Sequence, residues 1–369
     1  MKASRFLLYA LAVAALALAP EYLPAYYLSL LGRFLALSVL AIGLTMVWGH
    51  GGILSLGQGV FFGIGGYCVA MHLKLSAMAA GDLPDFMQWS GLNRLPWWWA
   101  PFRSPAFAVA AMLVLPALAA AGLAWLVFHR RVGGVYFALI TQALALALST
   151  FVISQQAYTG GFNGLTDFTS FLGFAPGDPD TQRGLYWLTL ATLAAAFALC
   201  AWLQRSNFGK LLAAVREGEN RVRFLGYNPT PVKVAVFALG ALLAGVAGGL
   251  FTLHAGVISP ALIGVVPSIE MIIWVAVGGR SSLAGAVVGT LLVNFGKDWI
   301  SSAAPDLWLI AMGAMFILVV SALPGGLTGL ATSVRRSLAK RPLGRFPRVL
   351  KPPVAIEAAL APTEATEAQ

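Results

Sequence analysis

Few side chains in this sequence are equipped for chemistry, and they stand far apart. Glu270 is the carboxylate that lies well inside an apolar run. A charge placed there costs about 3 kcal/mol to insert, so it should face protein or water rather than lipid. It either accepts hydrogen bonds from an amide or ammonium group on a solute pathway, or is structural, paired with a buried donor or simply placed near the outer interface. Gln58 stands one turn into another apolar run, and its amide offers both donors and acceptors. That suits a small neutral polar solute, and it equally suits a hydrogen bond between helices. Asn163 and Thr166 belong to a glycine-rich stretch placed near an external mouth, where Asn capping a loop is the competing role. Lys297 and its neighbour Asp298 read as a self-neutralising pair.

Catalytic arrangements fail one by one. Phe208-Gly209-Lys210-Leu211 has no Ser or Thr after its lysine and no Gly five residues before it, so it is not a phosphate-binding loop. Gly63-Ile64-Gly65-Gly66 lacks the third glycine of a dinucleotide fingerprint and lies in a charge-free run. His50, His72, His129 and His254 form no ligand-spaced pair, and Cys68 and Cys200 sit in apolar surroundings. The expectation is a non-catalytic chain with no cofactor and no metal. Any work it does must be driven by an ion gradient or by another subunit.

The elements that position these residues follow from where charge is missing. Of 369 residues, 59% are hydrophobic and 10% charged, against about 25% charged in soluble domains. Mean hydropathy is +0.80. Such a chain cannot coat a globule with polar surface, which excludes a soluble enzyme, a disordered protein and a nucleic-acid binder. A span needs about 20 apolar residues. Charge-free blocks then give segments at 6–30, 34–48, 53–72, 105–128, 134–154, 185–203, 234–256, 266–279, 283–300 and 307–323. The fold class is all-α: a polytopic helical membrane protein of eight to ten transmembrane segments, with 266–279 and 283–300 short or broken. The transmembrane domain runs 1–334, and the tail 335–369, basic as far as Lys351 and then rich in Ala, Pro and Glu, reads as disordered and cytoplasmic.

Basic residues set the orientation. With the N-terminus in the cytoplasm, 18 of the 24 Lys and Arg fall on the inner side, six of them within 204–233. Arg33 is among those assigned outside, between the first two segments. Lys2, Arg5 and the run 6–19 resemble a signal peptide, but Pro20 follows the cleavage-like Ala17-Leu18-Ala19 and apolar character resumes, so the first helix is read as retained. Trp89 and Trp97-Trp98-Trp99 read as an interfacial belt. Gly59-x3-Gly63, Gly245-x3-Gly249 and Gly285-x3-Gly289 read as helix-packing faces.

The segment 204–233 carries the clearest functional pattern. Asn207 can cap a helix ending near Leu225, with Gly226 as its stop and Pro229 and Pro231 beyond. Leu211, Val215, Gly218, Val222 and Leu225 share one face, while Glu217 with Arg221 and Glu219 with Arg223 are favourable pairs on the other. A helix of this kind either lies on the membrane or docks into a partner, and the two carboxylates favour docking.

Gly209-Lys210-Leu211-Leu212-Ala213-Ala214-Val215-Arg216-Glu217-Gly218-Glu219, with Leu225-Gly226 and Lys233, resembles the coupling loop of ABC permeases of the branched-chain amino acid type. The resemblance extends to Leu54-Ser55-Leu56-Gly57-Gln58-Gly59, Thr159-Gly160-Gly161 with Asn163-Gly164-Leu165, and Val277-Gly278-Gly279-Arg280. Against the general permease Glu-Ala-Ala motif the loop departs at Arg221 and Val222, where small residues are usual, and at Gly226, which lies one residue late. The resemblance implies a subunit of an ATP-driven importer in a bacterial inner membrane, with no ATPase of its own. Implied partners are two ATP-binding subunits, a related second permease, a periplasmic substrate-binding protein, the lipid bilayer and a small-molecule substrate. Coupling would fall to Arg216, Glu217, Glu219, Arg221, Arg223 and Gly226. Gln58, the stretch from Asp85 to Gly91, Trp97-Trp98-Trp99 and the run from Gly161 to Asp167 resemble the urea-transport branch, which makes urea the expected substrate and branched-chain amino acids the alternative. A stand-alone secondary transporter or channel is the competing class.

Overall fold

The computed structural model describes residues 14–79, 82–168, 178–304, 307–322 and 325–330. The tail from 331 and the extreme N-terminus, to which the disorder and cleavage expectations apply, lie outside the described residues. What is described is helical, and the one β-type pairing among these residues is an isolated antiparallel bridge between Leu165 and Ile258.

Helix α1 (14–22) gives way at Leu23-Pro24, and α2 (Ala25–Leu44) continues without interruption into a π-helical turn, Thr45–His50. Proline cannot extend the preceding helix, so the break falls there. This corrects the sequence expectation that Arg33 separates two spans. Arg33 lies inside α2, about 12 Å from its first residue at 1.5 Å per residue. Beyond an irregular stretch, α3 runs Gln58–Ser76. The remaining elements are α4 (Asp85–Trp89), α5 (Pro105–His129), α6 (Val135–Ser154), α7 (Gln156–Thr159), α8 (Pro179–Arg205), α9 (Asn207–Glu217), α10 (Glu219–Phe224), α11 (Pro229–Ala255), α12 (Val265–Gly278), α13 (Leu283–Ala303) and α14 (Leu307–Ala322).

Five of these stretches, Ala25–His50, Pro105–His129, Val135–Ser154, Pro179–Arg205 and Pro229–Ala255, are long and apolar enough to cross a membrane. Helices α12 and α13 add a pair bent by 120°, the broken segment expected between 266 and 300. The chain is a multi-pass helical membrane protein. Its layering follows from burial. Helix α2 is almost wholly enclosed and α3 nearly so, while α5, α6 and α8 leave most of their apolar side chains on the outside. Helix α11 packs on α2, α3 and α5 and forms the hub.

Close backbone approach explains part of the glycine content. A Cβ on Gly65 would land on the Gly245 carbonyl, and one on Gly248 would land on the Phe62 carbonyl. The α3–α11 crossing therefore tolerates no side chain at those positions, and the Gly-x3-Gly faces are packed as expected, with Gly245 and Gly249 against Pro116 and Met112 of α5 and Gly285 and Gly289 against Gly278 of α12.

The segment between α11 and α12 re-enters the bundle. Ile258 lies against Gly66 and Ile263 against Gly63, and the Gly59 N–H donates to Ser268 Oγ at 3.2 Å. Residues 258–268 thus descend alongside α3. Irregular backbone at membrane depth needs protein partners, and here it has them: Leu165 and Ile258 exchange hydrogen bonds of 2.8 and 3.0 Å.

Candidate functional site

Two regions hold the candidate residues. One is the α9–α10 module, at the end of the bundle where α2 finishes; the other is a cavity toward the opposite end.

The module differs in detail from the continuous helix expected over 207–225. Ser206, not Asn207, is the cap: its Oγ accepts from the Gly209 N–H at 3.4 Å, and Asn207 is the first helical residue. At Gly218 the backbone leaves the helical region, which divides α9 from α10. Leu212, Val215 and Val222 face the bundle. Leu225, expected on the same buried face, is 76% exposed, and its neighbour Phe224 is 91% exposed. With Tyr227 they form an apolar patch beside the exposed Arg221, and Gly226 turns the chain there with φ +85°.

The charges of the module are largely committed inward. Arg216 Nη1 donates to the Gly49 carbonyl at 2.7 Å, at the π-turn that ends α2. Its Nη2 also contacts the exposed Glu217 at 3.4 Å, so Glu217 pairs with Arg216 rather than with Arg221 as expected. Glu219 bonds Arg223 at 2.9 Å, as expected, and additionally pairs with Lys233 on α11. Partial burial works to raise the Glu219 carboxyl, but the hydrogen bonds and charges of Lys233 and Arg223 outweigh it and hold its pKa below the ordinary value. Lys233 also stands 5.2 Å over the Phe128 ring of α5. Glu219 is therefore a clamp between α10 and α11.

Gly49 is the junction of this end. The Arg280 carbonyl, in the turn between α12 and α13, packs so tightly against Gly49 that a Cβ there would land on it. The Arg280 guanidinium lies 5.8 Å over the Trp48 ring. Arg216 from α9 thus grips the same backbone point that holds the α12–α13 turn. A π-turn in this position is a widened helical segment of the kind that clusters at functional sites.

From that junction α2 and α12 run to a cavity of about 260 Å³, near the lower end of small-ligand pocket sizes of about 300–1,000 Å³. Its walls combine Leu30, Phe34, Phe62, Phe251, Met271 and Trp274 with Arg33, Glu270, Asn294, Lys297, Asp298 and Ser301. Glu270 accepts two hydrogen bonds from Lys297 Nζ, at 2.9 and 2.8 Å, and one from the Trp308 indole at 3.1 Å. Lys297 hence neutralises Glu270 across two helices, in place of the expected pairing with Asp298. The cluster ties α12, α13 and α14 together while its ion pair borders the cavity.

The other candidates are not brought to this cavity. Gln58 is 1% exposed, and both amide atoms lack a hydrogen-bond partner among the described residues. The interhelical hydrogen bond weighed for it is absent from this arrangement. Asn163 is exposed in a short 3-10 turn whose glycines, Gly160, Gly161 and Gly164, all have positive φ. Thr166 Oγ1 bonds Asp167 at 2.8 Å. This stretch shapes the bridge to Ile258. All four histidines are engaged: His50 Nδ1 meets the Thr45 carbonyl at 3.3 Å, His254 meets Thr189 Oγ1 at 2.8 Å, His72 meets the Phe102 carbonyl at 2.9 Å and His129 stacks on Trp125. Among the described residues no cluster of His, Cys, Asp or Glu could hold a metal.

Sequence reasoning missed Arg33, Gly49, Phe224 and Tyr227. Arg33 carried a signal, since apolar residues continue on both sides of it without a turn residue. Phe224 and Tyr227 carried another, as large apolar residues among charges in a polar loop.

A family model described as the branched-chain amino acid transport system / permease component matches residues 26–320. The chain belongs to that family. It is 24% identical over 312 residues to the high-affinity branched-chain amino acid transport system permease protein LivM of Salmonella typhimurium, covering 78% of this chain and 67% of that protein. It is 25% identical over 300 residues to BraD of Pseudomonas aeruginosa, a permease protein of the same description, covering 79% and 91%. The probable branched-chain amino acid transport permease protein LivM of Methanocaldococcus jannaschii is 24% identical over 323 residues, covering 78% and 89%. No solved structure matches the chain. The names of these relatives carry branched-chain amino acids and not urea, so the urea branch expected from Gln58 and the tryptophan loop gains no support from them.

Proposed function

We propose that this permease is the membrane-spanning subunit of an ATP-driven importer of branched-chain amino acids. It would act with two ATP-binding subunits, a related second permease and a substrate-binding protein. The observation that carries the reading is the α9–α10 module. It leaves Phe224, Leu225 and Tyr227 uncovered on its surface, while Arg216 fastens it to the end of α2. A partner that pushes on the patch moves Gly49, and Gly49 is shared by α2 and the α12–α13 turn. Movement there reaches the cavity through both helices. This supports 204–233 as the ATPase-docking segment, with that end of the bundle and both termini in the cytoplasm of a bacterial inner membrane.

Amino acids lead over urea on two grounds. The relatives are named for them, and the cavity joins apolar walls to charges of both signs. Urea is the second reading, favoured by the unpartnered Gln58 amide. Uptake of labelled leucine and labelled urea by cells with and without this gene separates the two. Leucine uptake lost with the gene and urea uptake unchanged is the expected result. The reverse outcome overturns the amino-acid reading, and flux through this chain alone in liposomes overturns the ATP-driven class.

A further inference from the structure

The cavity contains four charged side chains, but only two of them neutralise each other. Glu270 and Lys297 form the ion pair described above. Arg33, on α2, makes no ion pair within 4 Å among the described residues, and its Nε is buried without a hydrogen-bond partner. The ionisable group felt near it is His254, whose ring packs on Gly32 and is occupied by Thr189, so it offers Arg33 no counter-charge. Asp298, on α13, is exposed and makes no ion pair among the described residues, and it borders the same space. An intramembrane guanidinium without a counter-ion is costly and marks a pathway or ligand contact by default. The two leftover charges are opposite in sign, on different helices, and line one cavity together with apolar side chains.

We infer that Arg33 and Asp298 are the two ends of a clamp for a zwitterionic solute, Arg33 receiving its carboxylate and Asp298 its ammonium group, with the apolar walls receiving the side chain. The guanidinium suits a carboxylate because its planar fork can donate two parallel hydrogen bonds. A neutral amide such as urea would leave both charges unpaired, whereas a zwitterion satisfies both and leaves the site electrically neutral. Arg33 is thereby the specificity-determining residue of the cavity, with the Glu270–Lys297 pair as its structural border. The inference rests on the branched-chain amino acid reading and adds to it the residues that recognise the solute.

The test uses the assembled, nucleotide-free complex without the substrate-binding protein, so that only the permease site is read. Ser301, half-exposed on the cavity wall, is changed to Cys and its labelling by a small maleimide is timed; the native Cys68 and Cys200 are buried. Leucine should slow labelling, and urea and isopentylamine, which is leucine without its carboxylate, should not. Adding Arg33→Gln should raise the protecting leucine concentration at least tenfold, and Arg33→Lys, which keeps the charge but not the fork, should recover only part of it. Equal protection by leucine and isopentylamine, no protection by leucine, or an unchanged midpoint in Arg33→Gln overturns the inference. Should the Arg33 variants fail to assemble, the comparison of leucine with isopentylamine in the Arg33-containing complex decides alone. Leucine uptake that depends on the gene while protection is absent removes only the clamp; loss of both removes the amino-acid reading as well.

Discussion

Replacing Lys297 by Met should destabilise the protein, and the size of the effect follows from its surroundings. The Glu270 side chain is 9% exposed and that of Lys297 is 38% exposed. Removing one partner of a fully buried ion pair costs about 3–5 kcal/mol, because the other charge is left uncompensated. Solvent reaches Lys297, however, and an exposed pair is worth only about 0–1 kcal/mol. The Trp308 indole also remains to hold one Glu270 oxygen. A cost of about 2 kcal/mol is expected between those limits. Glu270→Gln should cost less, since the amide keeps the shape and an acceptor for Trp308. The double variant should be more stable than the two single losses imply, with a coupling of about 1–2 kcal/mol. Unfolding of the purified protein in detergent, followed for all four members of the cycle, reads this directly. Additivity within about 0.5 kcal/mol would refute the account of the cluster as a mutually compensating group.

Three further outcomes follow from the packing and the module. Gly65→Val places atoms against the Gly245 backbone, where no flexible side chain can yield; overpacking of this kind costs about 1–3 kcal/mol or more, so the folded yield in membranes should fall, and unchanged yield would contradict the α3–α11 crossing. Phe224→Asp with Leu225→Asp should abolish ATP-driven uptake while leaving expression and insertion intact, measured by uptake alongside quantitative immunoblotting of the membrane fraction. Glu219, held below the ordinary glutamate range, adds stability above its unfolded pKa of about 4.3 and loses it as pH falls through its lower folded value. Protease cleavage within 204–233 should therefore rise at acid pH in the unaltered protein, and a Glu219→Gln variant should show that high cleavage already at neutral pH.

Much of this architecture was legible in the sequence because lipid imposes a simple rule: charge is excluded from spans. The charge-free blocks at 105–128, 134–154 and 234–256 correspond closely to α5, α6 and α11. The turn at 278–282 was readable from Gly278-Gly279-Arg280 for the same reason. The rule fails where a charge is enclosed by protein. Arg33 looked like punctuation, yet it lies within α2 because a cavity accommodates it. Lys297 looked paired with its sequence neighbour, but its partner stands 27 positions away on α12, a pairing that only the helix hairpin creates. The division of α9 from α10 at Gly218 and the π-turn at Thr45–His50 likewise adjoin tertiary contacts that sequence spacing does not reveal, Glu219 with Lys233 and Arg216 with Gly49. The order of residues in 204–233 led to the expectation of a docking segment. It did not announce that Glu219 is spent internally and that Phe224, Leu225 and Tyr227 form the uncovered surface.

The central claim is that this chain moves branched-chain amino acids only when ATP-binding subunits act on it through 204–233. Its most direct test is leucine accumulation in proteoliposomes supplied with ATP and the substrate-binding protein. The complete complex should accumulate leucine, while this chain alone and a complex carrying Phe224→Asp with Leu225→Asp should not. Accumulation by the chain alone, or undiminished accumulation by the variant complex, would contradict the account.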